Sequence, residues 1–257
     1  WGSAINSSFH GANSLGGLLG ASAGGLLLAA GLGVSGCLAI IGALAAALVL
    51  AAGLAPSLPG RPHAEAAAPG FVWPSRALLG IGVLCFMAFM IEGAMADWSG
   101  LFLITVAGAT PAQGASGFAA FSIAMASGRL FGDHVVRAIG GRGTMRLGAT
   151  LAVFGAAQPH LGAAGFALVG FGLSNVVPVL FSAAARARGT SPSVGVAMVA
   201  TIGYVGMLAG PPMIGFAAEA LGLRLALAIP LAAAAAIAAA SLVPHRNISS
   251  RPARASR

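Results

Sequence analysis

The sequence reads as an all-α bundle of membrane-spanning helices, and three observations say so. Hydrophobic residues make up 58% of the 257 positions and charged residues 7%, against roughly 45–50% and about 25% in soluble domains. The charges are 13 arginines, with no lysine, and 5 acids. So few charges cannot cover the surface of a soluble globule, and a disordered chain needs the opposite composition. Apolar runs of about 20 residues, the length that crosses a bilayer, recur along the chain. They lack period-two alternation and are rich in Ala, Leu and Gly, which favours helices over barrel strands.

The runs divide into eight expected spans: 9–32, 35–55, 77–104, 112–132, 144–159, 161–184, 193–218 and 222–243. The first carries a glycine ladder (Gly11, Gly16, Gly20, Gly24, Gly25) suited to close helix packing. Between the second and third spans, residues 56–76 hold five of the chain's 14 prolines. Proline removes a backbone donor and stops a helix, so this stretch is a linker. It divides residues 1–55, two helices, from residues 77–243, six helices. The tail 244–257 is basic, polar and expected to be disordered.

Eight spans place loops on alternating sides. One side receives Arg61, Arg76, Arg137, Arg142, Arg186, Arg188, Arg246, Arg251, Arg254 and Arg257, with Arg129 and Arg146 at adjoining helix ends. The other receives only Arg224. The arginine-rich side, including the C-terminus, is therefore expected in the cytoplasm. The composition points to a GC-rich bacterial genome, hence to the bacterial inner membrane. The net charge of +8 does not indicate nucleic acid, because the arginines sit in separate loops and aromatics are only 7%. Cys37 and Cys85 fall in apolar runs and read as small fillers. No His/Cys/Asp cluster has metal-ligand spacing, and no Walker loop is present. Neither a metal, nor a cofactor, nor ATP-driven or other enzymatic chemistry is expected.

Three motifs carry a family resemblance. The fourth span ends in Gly128-Arg129-Leu130-Phe131-Gly132-Asp133-His134, continuing to Arg137 and Gly140-Gly141-Arg142. The seventh holds Gly206, Gly210, Pro211, Pro212 and Gly215. The third holds Glu92-Gly93-Ala94-Met95-Ala96-Asp97-Trp98-Ser99. Together with the plan of two helices, a linker and six helices, these resemble the major facilitator superfamily. The resemblance runs from the family's fifth helix to its C-terminus, and the chain opens at Trp1 without Met. It is thus expected to be the last eight helices of a 6+6 transporter, monomeric when full length.

The resemblance implies a role for each motif. The first is similar to the family's cytoplasmic loop motif, in which Asp133 would meet a neighbouring helix N-terminus or an Arg and hold one state closed. It departs from the pattern in His134, which replaces a stronger base, and in its distance to Gly140. The second resembles the exporters' G-x-x-x-G-P motif, implying a tight packing face and a helix bend. The third resembles a bacterial branch related to sugar permeases.

The residues themselves nominate a site. A carboxylate near mid-bilayer costs at least about 2.5–3.5 kcal/mol on insertion scales. Glu92 lies near the middle of the third span. Asp97 lies about 7.5 Å further along, turned by about 140°. Held away from cations, either suits reversible protonation, and one of them is expected to couple transport to protons. Asn175, beside Ser174 and ahead of Pro178, could contact substrate or patch a proline-broken backbone. Glu219 is expected to pair with Arg224 at the surface. His10 reads as interfacial. The expected activity is secondary transport of a small solute within membrane lipid. The alternatives are export of drugs or metabolites, or a fold that has lost transport.

Overall fold

A computed structural model describes residues 30–54, 73–156 and 161–242, together with residues 16, 19, 20, 23, 24, 26 and 27. Its helices are α1 (Val34–Leu54), α2 (Arg76–Thr105), α3 (Pro111–Ala156), α4 (Ala163–Leu173), α5 (Val176–Ala185), α6 (Pro192–Leu221), α7 (Leu223–Ala226) and α8 (Ala228–Leu242). No strand occurs among the described residues, so the chain is all-α. Five helical stretches there are long and apolar enough to cross a membrane: Ser35–Leu54, Arg76–Thr105, Ala163–Ala185, Pro192–Leu221 and Leu223–Leu242. The protein is a polytopic membrane helix bundle. Most of the first expected span, His10, the linker up to residue 72 and the tail lie outside the described residues.

Local sequence sets the helix starts. Ser75 accepts from the Leu78 N–H at 3.3 Å and caps α2. Ser191 accepts from the Val194 N–H at 3.4 Å, with Pro192 opening α6. Thr110 and Gln113 form a reciprocal box at the start of α3. The Thr110 N–H donates to Gln113 Oε1 at 2.9 Å, and the Gln113 N–H donates to Thr110 Oγ1 at 3.3 Å. Such boxes satisfy two donors that a helix start otherwise leaves orphaned.

The middle of the chain departs from the eight-span division in two places. Residues 133–143, expected as a loop, are helical apart from Gly140, whose φ of 71° and ψ of 163° interrupt α3. Glycine adopts positive φ without steric cost, so one residue replaces the expected loop. The chain reverses there. Along the first half of α3, Phe121, Gly128 and Gly132 approach Gly170, Ser174 and Asn175 in ascending order. Along the second half, Gly141, Gly148 and Gly155 approach Val179, Gly172 and Gly165 in descending order. α3 is thus two antiparallel helices flanking α4 and α5. It is not among the apolar crossing stretches, because Gln113, Ser116, Ser122, Ser127 and the arginines dilute its hydropathy.

The second departure is a break in the sixth expected span, 161–184, at Ser174–Asn175. Pro178 explains it. A proline ring clashes with the carbonyl four residues earlier and supplies no N–H to bond it. That carbonyl belongs to Ser174, where α4 stops.

Packing centres on α2, which is buried against α6 and also touches α3, α5 and α8. Glycines make these contacts close, as small residues do between membrane helices. α1 makes only sparse contact with α2–α8, and Leu38, Leu44, Leu48 and Leu54 on it are exposed. In a bilayer, an apolar surface of this kind is solvated by lipid.

Candidate functional site

The site begins with the α2–α6 contact. Gly206 and Gly210 of α6 lie against Phe86 and Met90 of α2, and a Cβ on Gly206 would collide with the Phe86 carbonyl. Gly93 of α2 answers them: a Cβ there would stand 2.8 Å from the Met207 carbonyl and 3.5 Å from the Pro211 ring. α6 runs through Pro211 and Pro212 without leaving helical geometry, so the expected bend does not interrupt the helix. Gly215 packs on the Trp98 ring.

Beside this contact lies a cavity of about 280 Å³. α2 lines it with Glu92, Gly93, Ala96 and Asp97, and α3 with Phe118, Phe121, Ser122, Met125 and Arg129. Met207 and Pro211 of α6 complete it.

Glu92 and Arg129 meet at the cavity's inner edge. Arg129 Nη2 stands 3.5 Å from Glu92 Oε1, with side chains 4% and 13% exposed respectively. The carboxylate oxygen accepts no hydrogen bond among the described residues. The Arg129 Nε–H donates to the Ser174 carbonyl at 3.4 Å. That carbonyl is the one Pro178 leaves without a helical donor, so a side chain takes the place of a backbone N–H. Asn175 holds the same junction from the other side. Its Nδ2 donates to the Gly128 carbonyl and to Ser174 Oγ, both at 2.9 Å. Gly128 and Gly132 are required for this approach, since a Cβ on either would collide with Ser174 or Asn175. Arg129 therefore bridges an intramembrane carboxylate and a broken helix.

Two expectations are corrected. Glu92 is not held away from cations, because Arg129 faces it. Arg129 is not at a helix end on the arginine-rich side; it sits within the first half of α3, drawn inward by Glu92 and Ser174. Intramembrane charges pair in this way because the bilayer offers no water. The loop motif accordingly divides. Gly128, Arg129 and Gly132 belong to packed helix interior, whereas Asp133, Arg137 and Arg142 are exposed and form no hydrogen bond or ion pair among the described residues. Gly140 makes the turn. Asp97 lines the cavity but does not share the Glu92–Arg129 pair. The expected Glu219–Arg224 pair does not form; Arg224 instead borders a second, largely apolar cavity of about 230 Å³ that Met95, Phe102 and Phe166 also line. A proline-broken backbone was expected here with Asn175 as its patch, but the freed Ser174 carbonyl goes to Arg129, while Asn175 bonds the Gly128 carbonyl and Ser174 Oγ. The signal available was Pro178 itself, which implicates the carbonyl four residues upstream.

No protein-family model and no solved structure matches the chain. Among curated proteins it is similar to an uncharacterized MFS-type transporter of Yersinia pestis, 39% identical over 234 residues, covering 88% of this chain and 60% of that one. It is similar to membrane protein MosC of Rhizobium meliloti, 40% identical over 181 residues, covering 68% of this chain and 44% of that one. It also resembles an uncharacterized transporter of Sinorhizobium fredii, 35% identical over 167 residues, covering 63% of this chain and 44% of that one. The chain thus spans between 44% and 60% of the length of these relatives. With its all-α membrane bundle and its three motifs, the chain belongs to the major facilitator superfamily, or MFS.

Proposed function

We propose that the protein is a secondary active transporter that moves a small solute by alternating access, coupled to protons through Glu92. The observation that carries the reading is the Glu92–Arg129 pair at the edge of the cavity. A buried pair is weak evidence for stability, because desolvating two charges offsets much of their attraction. A pair that returns so little stability points to use. Protonating Glu92 would remove one side of the pair and leave Arg129 on the Ser174 carbonyl. Two protonation states then correspond to two sets of contacts between α2, α3 and the α4–α5 break. Discontinuous helices at the substrate level are a recurrent device of secondary transporters. In this reading residues 77–243 form one half that rocks against another, in the bacterial inner membrane, with the C-terminus in the cytoplasm. Asp133, Arg137 and Arg142 would act at the cytoplasmic face.

The test uses protein expressed from the complete coding region and reconstituted in liposomes containing a pH-sensitive dye. Sugars, organic acids and organic cations are presented to wild type and Glu92→Gln. Solute-dependent proton movement in wild type, lost in Glu92→Gln, is the expected result. Proton-coupled flux that survives Glu92→Gln would remove Glu92 from the coupling role. Tracer flux without proton movement would refute the coupling itself.

A further inference from the structure

We propose that the cavity wall supplied by this chain receives an organic cation with an apolar body, such as an ammonium group carrying one aromatic ring. The proposal rests on the transporter reading and names the substrate class of the same site. The first reason is charge. The cavity is lined by two carboxylates, Glu92 and Asp97, and one guanidinium, Arg129. That guanidinium is committed to Glu92 and to the Ser174 carbonyl. Asp97 has no ion pair or hydrogen bond among the described residues, so the uncompensated charge is negative. Glu92 Oε1 is already faced by Arg129 Nη2 at 3.5 Å, so the unmatched carboxylate is Asp97.

The second reason is the apolar lining. The Phe118 and Phe121 rings stand 6.1 Å apart, inclined by 23°, with Met125, Met207 and Pro211 around them. Aromatic faces attract cations and thioethers are polarisable, so such a wall suits an ammonium group and its apolar substituent together. The volume of about 280 Å³ lies near the lower limit for ligand pockets and fits a single ring.

The same lining disfavours the other classes. A sugar needs a dense set of hydrogen-bond partners, because unpaired hydroxyls are costly to bury. Ser122 is the one neutral polar side chain among the lining residues. An anion would meet two carboxylates and an arginine already engaged.

The test titrates the purified complete protein in detergent with benzyltrimethylammonium, benzoate and glucose by calorimetry. Saturable binding of benzyltrimethylammonium, not displaced by excess glucose or benzoate, is expected. Asp97→Asn should weaken it about fivefold, the upper range for an exposed ion pair. Phe118→Leu should weaken it about threefold by removing a cation–π face, and it carries the test if the Asp97 variant does not fold. Absence of cation binding, cation binding unchanged in both folded variants, or saturable binding of glucose or benzoate instead would each overturn the proposal. Cation binding without flux in liposomes would leave this assignment standing and remove the transporter reading. Proton-coupled flux of a sugar or an acid would do the reverse.

Discussion

Pro178→Ala returns an N–H to the position four residues after Ser174. In a continuous helix that N–H takes the Ser174 carbonyl, which the Arg129 Nε–H now occupies at 3.4 Å. Two effects of opposite sign follow. A proline in a helix interior costs about 3 kcal/mol, recovered if α4 and α5 join. Arg129 loses a hydrogen bond from a charged donor, about 1.5 kcal/mol at the weak end of the range because the bond is long. The net is a gain of about 1.5 kcal/mol, equivalent to roughly 3–6 °C in a domain of this size. In the proposed transport cycle, flux should move the other way. Without the Ser174 carbonyl, Arg129 leans more heavily on Glu92, and exchange of the pair becomes harder by a similar energy, about tenfold in rate. Thermal unfolding in detergent and initial-rate flux in liposomes read the two effects side by side. A variant that is stabilised yet transports at the wild-type rate would sink the role given to the Ser174 carbonyl. A destabilised variant would show that proline does not make the break.

Glu92→Ala and Arg129→Ala each strand a buried charge and should cost about 3–5 kcal/mol. The double variant should cost clearly less than the two together, and a thermal-melt mutant cycle measures the coupling; additive losses would mean the 3.5 Å approach carries no energy. Gly206→Ala drives a Cβ into the Phe86 carbonyl and should lower stability by about 1–3 kcal/mol. Gly80→Ala, in the same bundle but with nothing within 4 Å of the new methyl, should raise it by about 0.5–1 kcal/mol through helix propensity. Unfolding midpoints of equal sign for the two glycine variants would contradict the α2–α6 packing.

The long apolar helices were legible because composition alone decides which chain can live in hydrocarbon. Gly140 was not, because a glycine- and arginine-rich stretch looks like a loop whether it spans eleven residues or one. Nothing between Asp133 and Ile139 breaks a helix, and that was the readable clue. The break at Ser174–Asn175 was hidden differently. Proline inside a membrane helix is often absorbed by neighbours, so whether Pro178 cuts the helix depends on what waits for the freed carbonyl. Here it is Arg129, 45 residues away in sequence.

The Glu92–Arg129 pair could have been narrowed further from physical reasoning. Arg129 falls inside an expected span, and a charge there needs a partner. Of the five acids, only Glu92 and Asp97 lie well within expected spans. Depth chooses between them once the hairpin register is known. α2 and α3 run antiparallel, with Gly117 against Ser99. From that contact Arg129 lies about 18 Å along α3, Glu92 about 10.5 Å back along α2, and Asp97 only about 3 Å back. Helical side chains lean toward their own N-terminus, so Arg129 reaches back toward the contact while the acid on α2 reaches away from it. The lean closes the smaller gap and cannot close the larger. Glu92 is therefore the partner that antiparallel geometry selects, and Asp97 is left with its charge unmatched at the cavity.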